Sequence, residues 1–316
     1  MTDTPSEHWS DYWSRGCLTS LPQDFAANYD GEVAEFWHAA FRAMPSGGRM
    51  IDLCTGNGAI ALLAAGFARA IAQPMQITAV DAAQVNPEFI AERFPDQARL
   101  LEDIRFISPC RIEELELEAQ FDLATSQYGI EYCDWEPAAA RVAQLLKPGG
   151  RLLMVCHAAG SDIVAYTERE QGEFRQLEAL GFFASIRAYL DRKTGHAVLT
   201  ATLKAVQTQL QKEFSRSGSP LYRSVLEMLR GALAMPEARL DNSRVHLEAY
   251  YRQTRHGFER LVDMLRVNQA LKDDPGWTRV FEAAGLVAEE SGRIRYRGQH
   301  HAGDFHAFRK PLAGAD

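Results

Sequence analysis

The chain has 316 residues, 46% of them hydrophobic and 24% charged, so it can bury a large core and has the composition of an ordinary globular protein. Its formal net charge of −8 offers no basic field to a phosphate backbone, which disfavours a nucleic-acid substrate. The five cysteines lack C-x-x-C spacing, so the sequence predicts no metal site and no disulfide framework. Residues 1–13 lack the pattern of a signal peptide and no apolar stretch reaches the length of a membrane span, so a cytoplasmic location is expected.

The first predicted element is a short helix rich in aromatic residues. Residues 4–7 (Thr-Pro-Ser-Glu) have the pattern of a capping box with proline at the first helical position. Trp9, Tyr12 and Trp13 follow on one face of that helix. We assign residues 1–30 as an N-terminal aromatic cap segment.

Short apolar strands then alternate with helices up to residue 157. A helix over 31–44 carries the apolar stripe of a helix that packs on a sheet. Strands are predicted over residues 49–53, 76–80, 104–108, 121–126 and 151–156, with helices that begin near Ala59, Pro87 and Glu136. This alternation indicates parallel βαβ units and therefore an α/β fold with a doubly wound sheet, covered by helices on both faces.

Residues 158–275 break the alternation. Helical patterns cover residues 163–190 with a break at Gly181, 198–214, 221–233 and 245–271, and linkers are predicted at 192–195, 215–220 and 235–243. The segment is therefore predicted to be an all-helical insertion after the fifth strand. We expect it to form a lid over the carboxyl edge of the sheet, where ligands of such folds bind, or a homodimer interface.

The last predicted elements return to the pattern of the sheet. A helix over 277–284 is followed by strand-like runs at 286–296 and 303–309, with a polar turn at 297–302 between them. This spacing predicts an antiparallel hairpin at the sheet edge. The core domain is accordingly assigned to residues 31–157 and 276–310.

A glycine-rich turn connects the first strand to the helix after it. The strand reaches Asp52 near its end, and Gly56 and Gly58 let the backbone bend sharply and let a ligand approach the main chain. The start of the next helix offers free N–H groups and a partial positive charge. Asp81 follows the second strand, where a carboxylate can accept both hydroxyl protons of a ribose. The pattern indicates a ribose-bearing ligand at the carboxyl ends of the strands.

In order and spacing, these motifs resemble the class I (Rossmann-like) S-adenosylmethionine-dependent methyltransferases of the small-molecule type. The resemblance covers the core domain and is carried by residues 52–58, Asp81, Phe121-Asp122-Leu123, residues 146–150 and residues 304–309. It implies a seven-stranded mixed sheet whose last strand is antiparallel. It also implies S-adenosylmethionine as cofactor, S-adenosylhomocysteine as product and a small molecule as acceptor.

The resemblance also implies cofactor-binding residues. Asp52 and the glycine loop would hold the methionine half, and Asp81 would bind the ribose. Arg111 and Ile112 align with the adenine pocket, but Arg111 cannot accept the hydrogen bond from the adenine amino group that an acid accepts in the family. The complete set of candidates is Asp52, Cys54, Thr55, Gly56, Asn57, Gly58, Asp81, Ala82, Arg111, Ile112, Ser126 and Gln127.

Catalytic candidates follow from the chemistry of methyl transfer. This reaction is an in-line displacement that depends mainly on alignment, so a general base is needed only for a poorly ionised acceptor. His157 comes directly after the fifth strand and has a side chain suited to proton transfer near neutral pH. Tyr128 and Tyr12 are further candidates that could orient or deprotonate the acceptor.

Two alternative functions stay open at this stage. A nicotinamide-dependent oxidoreductase could use the same fold, although the acid before the glycine loop and the terminal hairpin argue against it. A protein that binds S-adenosylmethionine without transferring its methyl group would share every motif above. Ser-Gln-Tyr-Gly at residues 126–129 stands where enzymes that methylate amide or exocyclic amino nitrogens usually carry Asn-Pro-Pro-Tyr or Asp-Pro-Pro-Tyr, so an acceptor of that kind is disfavoured.

Overall fold

The computed structural model describes residues 7–20, 25, 27–118, 120–158, 161–298, 300–312 and 314. The chain divides into two compact units, the first comprising Met1–Val164 with Arg266–Asp316 and the second comprising Ala165–Leu265. The predicted capping residues at positions 4–6 lie outside the described residues.

A seven-stranded sheet forms the first unit. The strands are β1 (Arg49–Leu53), β2 (Gln76–Val80), β3 (Ile104–Ile107), β4 (Phe121–Gln127), β5 (Leu146–Cys156), β6 (Val287–Tyr296) and β7 (His300–Arg309). Their order is β3-β2-β1-β4-β5-β7-β6. The first five strands pair in parallel, whereas β7 is antiparallel to both β5 and β6. The predicted α/β fold with a seven-stranded mixed sheet and an antiparallel last strand is confirmed.

Helices precede, connect and follow these strands. They are α1 (Glu7–Trp13), α2 (Gly31–Arg42), α3 (Ala59–Ala70), α4 (Pro87–Arg93), α5 (Ala98–Leu101), α6 (Trp135–Leu145), α7 (Asp162–Ala179), α8 (Phe182–Leu190), α9 (His196–Ser217), α10 (Pro220–Leu233), α11 (Glu237–Asn242), α12 (Arg244–Asp273) and α13 (Arg279–Ala283). Short 3-10 helices occur at Pro95–Gln97, Ile112–Glu114 and Ile130–Tyr132. Within the described parts of the chain, none of these helices is both long and apolar enough to cross a membrane.

The core lies on both faces of the sheet. Successive side chains of a strand point to opposite faces, so neighbours such as Met50 and Ile51 enter different hydrophobic clusters. The cluster that contains Met50 includes residues of α2 and α3, and the cluster that contains Ile51 includes residues of α6 and α13. Burial on both faces explains why the parallel strands read as nearly continuous apolar runs.

Several element boundaries differ from the prediction. β5 begins at Leu146 rather than at residue 151, because Leu146 pairs with Phe121 across a local shift in register. β7 begins at His300, which pairs with Tyr296 and shortens the predicted polar turn. α13 begins at Arg279, two residues later than predicted.

The second unit is helical and has its own core. α8, α9, α10 and α11 lie wholly within it, together with most of α7 and α12. Its hydrophobic cluster is centred on fully buried leucines such as Leu177, Leu203 and Leu229. The predicted linker at 235–243 is wrong, since residues 237–242 form α11 and Leu240 joins the hydrophobic cluster. The compact unit, Ala165–Leu265, is narrower than the predicted insertion of residues 158–275.

Candidate functional site

The candidate site lies where the strand order reverses. β1 and β4 are neighbours in the sheet. From β1 the sheet continues to one side through β2 and β3, and from β4 it continues to the other side through β5. The carboxyl ends at such a switch point form the usual ligand crevice of an open α/β sheet. The loops after β1 and β4 are in close contact here. A Cβ atom added to Gly129 would lie only 2.2 Å from the Cβ of Cys54. The thiol of Cys54 also lies 3.6 Å from that of Cys133.

A tight turn leads from β1 into α3. Cys54, Gly56 and Gly58 all have left-handed backbone conformations, with φ angles of 54°, 55° and 89°. The N–H of Thr55 donates to the carbonyl of Val80 at 3.0 Å, which attaches the turn to the end of β2. Glycine at positions 56 and 58 therefore avoids the strain that most side chains would bring to this backbone.

Asp81 connects three backbone segments of the site. Its carboxylate accepts hydrogen bonds from the N–H of Gly56 at 2.7 Å and of Ala83 at 2.8 Å. Its own carbonyl accepts from the N–H of Cys110 at 2.8 Å. Burial raises the pKa of this carboxyl to about 6, although the two backbone N–H groups oppose the shift. Asp81 is therefore placed to hold a ligand and the glycine turn together.

The segment after Cys110 contains the two adenine-pocket candidates. Ile112 is buried and begins a short 3-10 helix. The guanidinium of Arg111 lies 3.5 Å from the carboxylate of Glu113 and its side chain is 34% exposed. The hydrogen bond between Cys110 and Asp81 brings this segment next to the end of β2, and its role in an adenine pocket stays a prediction. Ala82 is half-buried between Asp81 and Ala83.

Asp52 is a second buried carboxylate at the same edge. It accepts hydrogen bonds from the hydroxyl of Thr55 at 2.5 Å and of Thr125 at 2.8 Å. Burial raises its pKa to about 7; the two hydroxyl bonds oppose this shift, and the charge of Asp81 adds to it. A positively charged ligand beside them would lower the pKa of both acids.

Ser126 and Gln127 occupy the end of β4. The hydroxyl of Ser126 accepts from the N–H of Ile130 at 3.1 Å, which shapes the loop after the strand. The side-chain oxygen of Gln127 accepts a hydrogen bond from the indole of Trp37. The buried amide of Gln127 also faces the hydroxyl of Tyr29, and its nitrogen has no closer hydrogen-bond partner among the described residues. Buried polar groups are normally paired, so this nitrogen is suited to a bound ligand.

Asn57 attaches the N-terminal segment to the glycine turn. Its amide nitrogen donates to the carbonyls of Trp13 and Cys17, both at 2.8 Å, and its oxygen accepts from the N–H of Asn86 at 3.0 Å. The ring of Trp13 covers Gly56, where an added Cβ would lie 2.6 Å from the indole. The sequence proposed Asn57 as a cofactor contact, but in the structure its side chain joins three parts of the protein.

We predict that Asn57→Ala lowers the free energy of unfolding of the first unit by about 1–3 kcal/mol, because it leaves buried backbone groups without partners. The measurement is urea unfolding followed by tryptophan fluorescence, since all five tryptophans lie outside residues 165–265. Gln73→Ala is the control, because Gln73 donates a single hydrogen bond to Met44. A variant as stable as the unmutated protein would contradict the assigned role of Asn57.

His157 lies beside an acid that the sequence analysis missed. The side-chain Oε1 atom of Glu131 lies 2.9 Å from the backbone nitrogen of His157 and 2.7 Å from its Nδ1. Both side chains are buried, at 0% exposure for Glu131 and 3% for His157. Glu131 interrupts an apolar stretch directly after β4, and that isolated charge was the available signal in the sequence.

The two tyrosine candidates already have partners. The hydroxyl of Tyr128 donates to the carbonyl of Ala302, and its ring lies 4.8 Å from that of His157. The hydroxyl of Tyr12 donates to the carbonyl of Thr19 at 2.8 Å. These contacts favour a packing role for Tyr12 and place Tyr128 next to His157. Of the three catalytic candidates, the structure brings only His157 and Tyr128 together.

Comparison with known proteins gives one family match. Residues 50–150, which include β1 to β4 and the glycine turn, match a family described as a methyltransferase domain. No match was found among curated proteins.

Solved structures of three methyltransferases or related proteins illustrate the likeness. A 1,6-didemethyltoxoflavin N1-methyltransferase from Burkholderia thailandensis is 16% identical, with 96% of this chain and 87% of that chain covered and a TM-score of 0.44. A putative S-adenosylmethionine-dependent methyltransferase from Methanococcus maripaludis is 19% identical, with coverage of 56% and 78% and a TM-score of 0.41. The YcgJ protein of Bacillus subtilis is 25% identical, with a TM-score of 0.33, and the match covers 45% of this chain but only 58% of that protein.

The matched residues include the turn between β1 and α3 and strand β4, which meet at the switch point of the sheet. The resemblance inferred from the sequence is thereby confirmed, together with S-adenosylmethionine as the cofactor of the family. Residues 50–150 therefore match a methyltransferase domain, and over that part of the chain the resemblance to the class I S-adenosylmethionine-dependent methyltransferases is confirmed.

Proposed function

We propose that the chain as a whole transfers a methyl group from S-adenosylmethionine to a small-molecule acceptor by in-line displacement. The observation that carries this proposal is the hydrogen bond from Gly56 to Asp81, which holds a buried carboxylate against the turn that leads into α3. A ribose diol and a charged amino-acid moiety need these groups at the end of neighbouring strands.

The residues of the site fit this cofactor. Asp81 would accept the ribose hydroxyls, and the turn at 56–58 would offer its backbone to the methionine half. Among the described residues, no basic side chain hydrogen-bonds with Asp52, so a ligand with positive charge would compensate its buried charge. The amide nitrogen of Gln127 would gain an acceptor from the same ligand.

Each part of the site has a separate task in the reaction. The bound cofactor supplies a methyl group activated by a positively charged sulfur. The protein holds the two reactants in line, excludes water and, where the acceptor is poorly ionised, removes a proton. We assign Tyr128, which follows β4, to the acceptor side of the site because its ring packs on that of His157.

A thermal-shift experiment tests the cofactor. We expect S-adenosylmethionine and S-adenosylhomocysteine to raise the unfolding temperature with concentration, because they bind only the folded state. A nicotinamide dinucleotide at equal concentration is the control and should leave the temperature unchanged. A shift with the dinucleotide alone would favour the oxidoreductase instead.

Methyl transfer itself requires a turnover assay. Isotope-labelled S-adenosylmethionine with a panel of small acceptors should yield labelled product and S-adenosylhomocysteine. Binding of the cofactor without transfer to any acceptor would support the alternative of a non-catalytic binding protein. The roles predicted for the helical segment as a lid or homodimer interface, and the cytoplasmic location, stay predictions.

A further inference from the structure

We infer that Glu131 and His157 form a catalytic pair that selects a planar aryl hydroxyl as the methyl acceptor. His157 is the base in this inference and Glu131 is the residue that positions it. The inference rests on the proposed function and specifies its acceptor.

The hydrogen bonds of the pair determine which ring nitrogen of His157 is available. A carboxylate only accepts hydrogen bonds, so the bond between Nδ1 and Glu131 places the ring proton on Nδ1. The backbone bond from His157 to the same oxygen prevents the carboxylate from turning away. Nε2 makes no hydrogen bond with any described residue and keeps a free electron pair. Nε2 can therefore take a proton from an acceptor.

The carboxylate of Glu131 is placed to stabilise the positive charge that forms on His157 during proton transfer. An imidazolium formed at His157 would lie 2.7 Å from a carboxylate that is itself buried. Besides His157, the buried carboxylate of Glu131 interacts with the thiol of Cys156, a weak hydrogen-bond donor that leaves most of the negative charge uncompensated before the reaction. A low local dielectric strengthens the attraction between the pair once His157 becomes protonated.

A row of aromatic rings connects Glu131 and His157 to the glycine turn between β1 and α3. Trp13 covers Gly56, its ring stacks on Trp9 at 6.1 Å, and Trp9 meets Tyr132 edge-to-face at 5.9 Å. The ring of Tyr132 lies 5.8 Å from that of His157. This row places aromatic rings all the way from the turn to the base, and aromatic rings pack more specifically on another planar ring than on a flexible aliphatic chain.

The chemistry of the acceptor follows from the strength of the base. A phenolic hydroxyl has a pKa of about 10, close enough to that of imidazole for transfer as the methyl group arrives. The hydroxyl oxygen bonds to the methyl carbon while the carbon–sulfur bond breaks and the sulfur keeps that electron pair. The hydroxyl proton moves to Nε2 of His157 and leaves later to solvent. A neutral aryl amine already has a free electron pair and needs no base before attack. It therefore gains nothing from His157, whereas the hydroxyl gains the reactivity of a developing phenolate.

The first test uses a matched pair of acceptors. The probes are 2-naphthol and 2-aminonaphthalene, which share a planar ring and differ in the acceptor atom; the hydroxyl of 2-naphthol is not ionised near neutral pH and therefore needs the base. We expect methylation of the hydroxyl compound and at least about 10-fold slower reaction of the amine. Cofactor binding without methylation of the hydroxyl compound, or preference for the amine, would overturn the inference and leave the proposed function intact. Absence of cofactor binding would overturn the proposed function itself.

The second test separates the two members of the pair. His157→Asn should lower kcat for the hydroxyl probe by about 100-fold or more, within the range for loss of a general base. Glu131→Gln keeps an acceptor oxygen but removes the charge, and should lower kcat by about 10-fold with little change in KM or cofactor affinity. His38→Asn, on α2, is the control and should retain full activity. An unchanged kcat in His157→Asn would refute the role of the base.

A spectroscopic readout tests the pair without turnover. In a long-range ¹H–¹⁵N spectrum of the labelled full chain, the signals lost in His157→Asn identify that residue among the nine histidines. We expect them to show neutral imidazole with the proton on Nδ1. A proton on Nε2 in the neutral ring would overturn the assignment, whatever the activity of the variants.

Discussion

Asp81→Ala is expected to weaken the binding of S-adenosylmethionine by about 100-fold or more. The carboxylate would accept two ribose hydroxyls, and charged hydrogen bonds of this kind contribute about 1.5–3 kcal/mol each. The substitution also leaves the N–H groups of Gly56 and Ala83 without their hydrogen-bond acceptor. The measurement is the dissociation constant from calorimetry with the purified full chain.

Asp122→Ala is the matched control for this prediction. Asp122 belongs to the same sheet, but it lies at the start of β4 and bonds to Arg49 and Lys147. We expect this variant to lose stability and to keep its cofactor affinity. Equal affinities in Asp81→Ala and the unmutated protein would remove Asp81 from the site.

Asp52→Asn is expected to stabilise the ligand-free protein at alkaline pH. The pKa of Asp52 is raised to about 7 by burial, whereas in the unfolded chain it has the ordinary value of 3.8. Both states hold the proton below pH 3.8, so the acid adds no pH dependence there. Between these values the unfolded chain loses its proton first, and stability falls by up to about 1.4 kcal/mol per pH unit. Asparagine does not ionise and escapes this loss.

Urea unfolding at pH 4 and pH 8, followed by tryptophan fluorescence, measures the effect. We expect Asp52→Asn to match the unmutated protein at pH 4 and to be more stable by about 2–4 kcal/mol at pH 8. Part of this effect comes from repulsion between Asp52 and Asp81, which contributes to the raised pKa of Asp52. A variant that is less stable at pH 8 would show that the hydroxyl bonds of Asp52 outweigh its burial.

Asp122→Asn should behave in the opposite way. Burial alone would raise the pKa of Asp122, but the Arg49 N–H and the ammonium of Lys147 outweigh it, so the pKa lies below the ordinary value. Stability from this group is present above the unfolded pKa and disappears as the pH falls through the folded pKa. The asparagine variant should therefore be less stable than the unmutated protein at pH 8.

The sequence predicted the features that depend on local pattern. The five parallel strands were located by apolar runs between turn residues, and Asp52 and Asp81 by their positions at strand ends. The match is close because burial on both faces leaves little choice of residue in such strands. The helix at Glu237–Asn242 was missed because six residues are too few for a helical period of apolar residues to be recognised.

The contacts between distant segments could not be predicted. Glu131 meets His157 only because β4 and β5 are adjacent and the loop after β4 folds back across their ends. Asn57 was assigned to the cofactor from its place between two glycines, yet its partners lie some 30 to 44 residues away along the chain. Side-chain direction at a loop depends on such tertiary contacts, which leave no periodic trace in the sequence.

The contact between Trp13 and Gly56 limits how this sequence can evolve. An alanine at position 56 would overlap the indole by its Cβ alone and would adopt an unfavourable φ angle. A relative that retains α1 in this place can therefore accept a larger residue at 56 only if the residue at 13 becomes smaller. Substitutions at positions 13 and 56, which are 43 residues apart in the sequence, should therefore covary among relatives.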